Sequence, residues 1–240
     1  MSEYEWKLTV EPRRKKRYNP DQPRVPAGQT GGGRWTSGGD AGGTPVESKG
    51  PSAVASYLGK KPEYTEFAVL PKDEFDDRFG NEYGGLTGHT TATALPTGEI
   101  YIREGNEDFA LHELVHASGF MPDGAGRFLN EGMTQAATEA ISRESGIEAY
   151  PSYGKERRFV EEYVIPSTGL SAQQVFQGYA KAPHKSEYLA DLVWAKHGDK
   201  FADTDDWGAG VRDKIAKSLE ETLNTNLYLM YLVDEVGVGR

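Results

Sequence analysis

The chain has 240 residues, 37% of them apolar, with 29 glycines and a net charge of -10. That suffices for one sizeable domain plus an appendage. There is no cysteine, which removes disulfides, thiolate metal sites and cysteine nucleophiles and leaves His, Asp and Glu as the only strong metal ligands. The negative charge argues against nucleic-acid binding by the whole molecule, although residues 1–50 carry nine Lys/Arg against six Asp/Glu.

Residues 1–51 read as a flexible arm and 52–240 as the folded domain. The arm is rich in Pro, Gly, Ser and Thr, and its basic run Arg13–Arg17 reads as a solvated charge cluster. It has no secretory hydrophobic stretch, and no segment of the chain reaches the ~20 apolar residues of a membrane span. A cytoplasmic or virion-associated setting with no membrane partner is expected. After the arm, "SAVASYLG" predicts a short first helix, "EYTEFAVLP" a helix end or strand, and "DEFDDRFG" an exposed helix. "GGLTGHTTATALPTGEIYIRE" alternates β-branched and aromatic residues around a Pro-Thr-Gly turn, which predicts a hairpin or two neighbouring strands. Its second arm, Glu99–Arg103, is the clearest strand in the chain.

Everything beyond Glu107 reads as helical. "EDFALHELVHASG" ends at Gly119, "MPDGAGR" is a turn, and "FLNEGMTQAATEAISRES" ends at Gly146. "KERRFVEEYVI" should stop at Pro166; "SAQQVFQGYA" and "SEYLADLVWAKHG" follow, and a last helix has Asp203 or Asp205 as its N-cap.

His112 and His116 are four residues apart, which on a helix means about 40° of rotation and ~6 Å of rise. Both imidazoles can face one metal ion. Glu113 stands about 100° round from His112, close enough to serve a water without ligating the metal. A helix that carries two His by chance is the alternative. A catalytic zinc needs a third ligand and an open position. The extension HExxHxxGxxH fails because position 122 is Pro. Glu131, fifteen residues after His116, could return against the His pair across the turn, or simply favour the positive end of its own helix.

"HELVHA" followed by "FLNEGMTQ" resembles the gluzincin group of zincin metallopeptidases. The resemblance implies an α+β, zincin-like fold, with a small sheet followed by a mostly helical half carrying the HExxH helix, and with Glu99–Arg103 as the substrate-facing edge strand on which an extended peptide can lie. It implies a Zn2+ ion held by His112, His116 and Glu131, with Glu113 as general base in peptide-bond hydrolysis by a metal-activated water. The partner is then a protein or peptide substrate. Where the family often has an acid four residues after its third ligand, this chain has Gln135. Asn130, Thr134 and Glu139 are further candidates for the surroundings of the ligands. Zincins often present a downstream Tyr or His to the oxyanion; Tyr153, Tyr179, His184 and Tyr188 are available, and Tyr188 ranks first. His89 and His197 read as surface or core residues.

The stretch Tyr18–Gly39, "YNPDQPRVPAGQTGGGRWTSGG", resembles linkers of phage and prophage structural or head-morphogenesis proteins and of some toxin-like effectors. It implies a phage structural protein as partner of the arm. Besides the phage-encoded peptidase, it leaves open a non-catalytic attachment protein of zincin-like fold and a peptidase toxin.

Overall fold

The computed structural model describes residues 45–79, 91–120, 126–202 and 210–220. The chain divides between Gly42 and Gly43. Residues 1–44 lie outside the described residues, as do the phage-like stretch, the basic run, His89 and both proposed caps of the last helix. The first helix, α1, spans Pro45–Leu58 and therefore begins within the segment expected as an arm. Proline at a first helical position costs nothing, since the N–H it lacks would have no helical partner there.

Three strands follow: β1 (Glu66–Leu70), β2 (Ala92–Ala94) and β3 (Glu99–Arg103), with α2 (Lys72–Phe79) between the first two. The sheet order is β1-β3-β2, with β1 parallel and β2 antiparallel to β3. The hairpin reading of the Pro-Thr-Gly turn is therefore correct, and "EYTEFAVLP" supplies a strand. The edge-strand reading of Glu99–Arg103 is not correct. β3 is central because its middle residues are buried on both faces. Ile100 and Ile102 enter the main core, while Tyr101 joins Ala68, Phe75 and Phe79 beneath α2. Its hydroxyl donates to Glu66 at 2.9 Å and accepts from Arg78 at 3.0 Å. Among the described residues, β2 is the edge on the hairpin side.

A 3-10 turn (Glu107–Phe109) leads into α3 (Ala110–Val115), which widens into a π-type turn over His116–Phe120. After Gly126 comes α4 (Arg127–Ser145), closed by Gly146 at φ 72. Next, α5 (Gly154–Phe159) runs through a second π-type turn (Val160–Val164) into α6 (Ile165–Thr168). Pro166 does not stop this helix. The widened turn ahead of it absorbs the ring, and the stop comes at Gly169, φ 68. A Ser171–Gln174 capping box opens α7 (Ala172–Lys181). The last two helices are α8 (Lys185–Ala202) and α9 (Val211–Glu220). The fold is α+β, a small sheet against a mostly helical half, as expected. Among the described residues no helix is long and apolar enough to cross a membrane.

Two glycines let the helices approach. A Cβ on Gly119, which also has φ 102, would lie 2.2 Å from the Ala180 carbonyl oxygen of α7. On Gly132 it would lie 2.5 Å from the Glu156 carbonyl oxygen, so α5 can pack on α4 only because this position has no side chain. Gly132 follows Glu131 directly, and the same α4–α5 packing sets the geometry beside the site.

Candidate metal centre

α3 packs along α4, and both helices turn polar side chains into the seam between them. His112 and Glu113 are buried at 3% and 6% exposure, and His116 and Gln135 are buried with them. Burying four such groups in an apolar seam is costly unless each finds a partner.

Each histidine's Nδ1 has one. That of His112 lies 3.0 Å from Gln135 Oε1 and that of His116 lies 3.0 Å from the Phe120 carbonyl oxygen. Both partners only accept, so both Nδ1 atoms carry protons and donate them. The Phe120 carbonyl is itself well fixed, because the Phe120 ring packs on Tyr179 at 5.1 Å. Fixing Nδ1–H in this way leaves a lone pair on each Nε2. The two Nε2 atoms lie 3.1 Å apart, and Glu131 Oε2 stands 3.3 Å from one and 3.4 Å from the other. With both imidazoles neutral, three acceptors thus face one point with no proton among them. Such an arrangement is repulsive unless a positive charge sits in its centre, and His112, His116 and Glu131 form a group that could hold a metal ion.

The titration behaviour reports the same demand. For His116, burial opposes the imidazolium, but the hydrogen bond and charge of Glu131, aided by Glu113, outweigh it and push the pKa up to about 9. Burial likewise opposes ionisation of Glu131, yet hydrogen bonds and charge from the two imidazoles hold it well below the usual carboxylate range. A proton supplies the missing charge where a metal does not.

Glu113 lies beside the triad and is not one of its three atoms. Burial raises its pKa; the charges of His116 and His112 oppose the rise, Glu131 adds to it, and a hydrogen bond from the Ala94 backbone opposes it. That contact ties Glu113 to β2, the edge strand. One helical turn further along the same face, Ala117 joins Ala94, Pro96 and Ile100 in lining a cavity of about 200 Å3.

Of the four oxyanion candidates, the structure brings Tyr153 to the group. Its ring stacks on His112 with centroids 5.3 Å apart at 21°. Burial, then the charges of Glu131 and Glu113, raise its hydroxyl pKa against the influence of Arg127, so it stays protonated. Tyr153 also has φ 48, the single positive value at a non-glycine among the described residues. Tyr188, ranked first from sequence, is placed elsewhere: its hydroxyl lies 1.9 Å from where a Cβ on Gly178 would be, within the α7–α8 packing. Tyr179 is buried, with its hydroxyl 3.3 Å from Asn130 Oδ1, and His184 is exposed. Thr134 donates to the Asn130 carbonyl at 2.8 Å and lies 3.4 Å from His116 Nδ1. His197 is buried on α8, as a core histidine would be.

Comparison with known protein families, with curated proteins and with solved structures finds no match for this chain. Its functional reading therefore stands on the residues themselves.

Proposed function

We propose that the protein is a zinc-dependent peptidase of gluzincin type, with His112, His116 and Glu131 as metal ligands and Glu113 as general base. The observation that carries this reading is the spacing of the three acceptor atoms. Ligand atoms about 2.0–2.1 Å from a tetrahedral zinc are separated from one another by about 3.3–3.4 Å. The three separations in this protein are 3.1, 3.3 and 3.4 Å. Two imidazole nitrogens and one carboxylate leave a fourth position open, which is the ligand set of a catalytic rather than a structural zinc.

When bound, zinc supplies a Lewis acid that polarises a carbonyl and makes a water acidic near neutral pH. The rest falls to the chain. Glu113, buried beside the triad, would act as the base for a water held there, and its raised pKa would suit it to pass the proton on to a leaving amine. Tyr153, protonated and stacked on a ligand ring, is the hydroxyl best placed to donate to a developing oxyanion. Among the described residues β2 is the sheet edge to which an extended peptide could add as a strand. The phage or prophage setting is supported by the Tyr18–Gly39 sequence alone.

Cleavage of an unfolded protein substrate by the zinc-loaded chain and by its Glu113→Gln variant tests the reading. Loss of the general base should lower turnover by about 100-fold to 10,000-fold. A variant as active as the wild type would refute the assigned mechanism.

A further inference from the structure

We infer that Gln135 is a positioning residue that holds the His112 ring and the segment Tyr150–Tyr153 as one unit, and that only an amide can do this. The metal half of the inference rests on the function proposed above; the clamp itself does not. The Gln135 side chain is fully buried, and all four of its hydrogen-bonding capacities are used. Oε1 accepts from His112 Nδ1 at 3.0 Å and from Ser152 Oγ at 2.7 Å. Nε2 donates to Glu139 Oε1 at 3.2 Å and to the Tyr150 carbonyl oxygen at 3.2 Å. This orientation is unambiguous, because turning the amide over would set its oxygen against two oxygens.

The segment so gripped is the one that covers the ligand. Tyr150 and Ser152 are held by the two ends of the amide, and the next residue, Tyr153, turns into left-handed backbone and lays its ring on His112. At its other side, Tyr150 is anchored to the 3-10 turn that leads into α3, its N–H donating to the Asp108 carbonyl at 2.9 Å and its ring stacked on Phe109 at 4.6 Å. Gln135 therefore touches the far nitrogen of the ligand ring and the chain that supplies its cover. Glu139 is also paired in charge with Arg157, whose Nε lies 3.2 Å from its Oε1.

The gluzincin resemblance would put an acid at position 135, and in many zinc sites a carboxylate behind the histidine strengthens the ligand. In this chain the effect should reverse. A carboxylate there has nothing to donate to Tyr150, and it would confront Glu139 across the distance now bridged by an amide N–H. Two partly buried acceptors would lose their donor together.

Zinc affinity by chelator competition, with amide hydrogen exchange over residues 147–154, tests this in the full chain. Gln135→Glu is expected to bind zinc about 10-fold to 100-fold more weakly and to exchange faster over Tyr150–Tyr153. Adding Glu139→Gln should recover most of the zinc affinity, because the new amide can donate from the opposite side to the carboxylate introduced at position 135, while exchange stays fast because the Tyr150 carbonyl still lacks its donor. Ser152→Ala should speed exchange while leaving zinc affinity within about threefold, and it carries the test if Gln135→Glu does not fold. Zinc bound as tightly by Gln135→Glu as by the wild type, or unchanged exchange in Gln135→Glu and Ser152→Ala, would overturn the inference. A wild type that takes up no zinc removes the metal reading; exchange alone then decides the clamp, faster exchange in Gln135→Glu supporting it and unchanged exchange overturning it.

Discussion

Zinc uptake should be governed by a single proton, the one on His116. In the metal-free protein its pKa is pushed up to about 9 by Glu131 and Glu113, against the effect of burial. Nε2 must lose that proton before it can ligate, so metal and proton compete. Below pH 9 the apparent zinc affinity should therefore rise about tenfold per pH unit, or about 100-fold between pH 6.5 and 8.5, and then level off. The same shift fixes the sign of a stability effect. A folded-state pKa above the unfolded value of 6.5 gives stabilisation that is fully present below about pH 6.5 and is lost as pH rises through about 9. The size is ~3 kcal/mol for a shift of this order, and the depressed Glu131 pKa describes the same contact and adds nothing to it. The metal-free protein should thus lose stability between pH 6.5 and 9, whereas the zinc-loaded protein, having exchanged proton for metal, should not. Chelator competition at several pH values measures the first effect; denaturant unfolding with and without zinc measures the second. Zinc affinity that stays flat from pH 6.5 to 8.5 would refute the reasoning.

Three further outcomes are expected. Glu131→Ala removes the main charge that raises His116 and leaves burial to oppose the imidazolium, so by NMR its imidazole should titrate well below 9 while zinc binding is lost. Tyr153→Phe should keep zinc affinity and lower turnover, and Tyr188→Phe should leave both unchanged; the opposite result would restore the ranking suggested by the sequence. Gly132→Ala should cost about 1–3 kcal/mol by overpacking α5 against α4, measured as a fall in denaturation midpoint. A neutral Gly132→Ala would mean that α5 can move away without cost.

The parts of the site that sequence revealed are those fixed by one helix. The spacing of His112, Glu113 and His116 is a property of α3 itself, and Glu131 could be named because a short reversal brings α4 back along it. Gln135 was visible as a departure from a pattern, but its role was not, since three of its four partners lie on other parts of the chain. Tyr153 was one of four candidates with nothing local to separate them. Its place is set by a left-handed turn and by the approach of α5 over Gly132, neither of which has a periodic signature. The misplaced edge strand has a plainer cause. Alternation identifies a strand, whereas its position in a sheet depends on what covers each face, and Ile100-Tyr101-Ile102 is apolar on both. Pro166 failed as a stop because a π-type turn upstream cannot be read from a proline.

The most direct test of the account is the zinc content of the purified wild-type chain beside that of Glu131→Ala, by elemental analysis after exhaustive dialysis. One tightly held zinc per wild-type chain and almost none in the variant is the predicted result. A wild type without zinc, after growth and refolding in its presence, would contradict it.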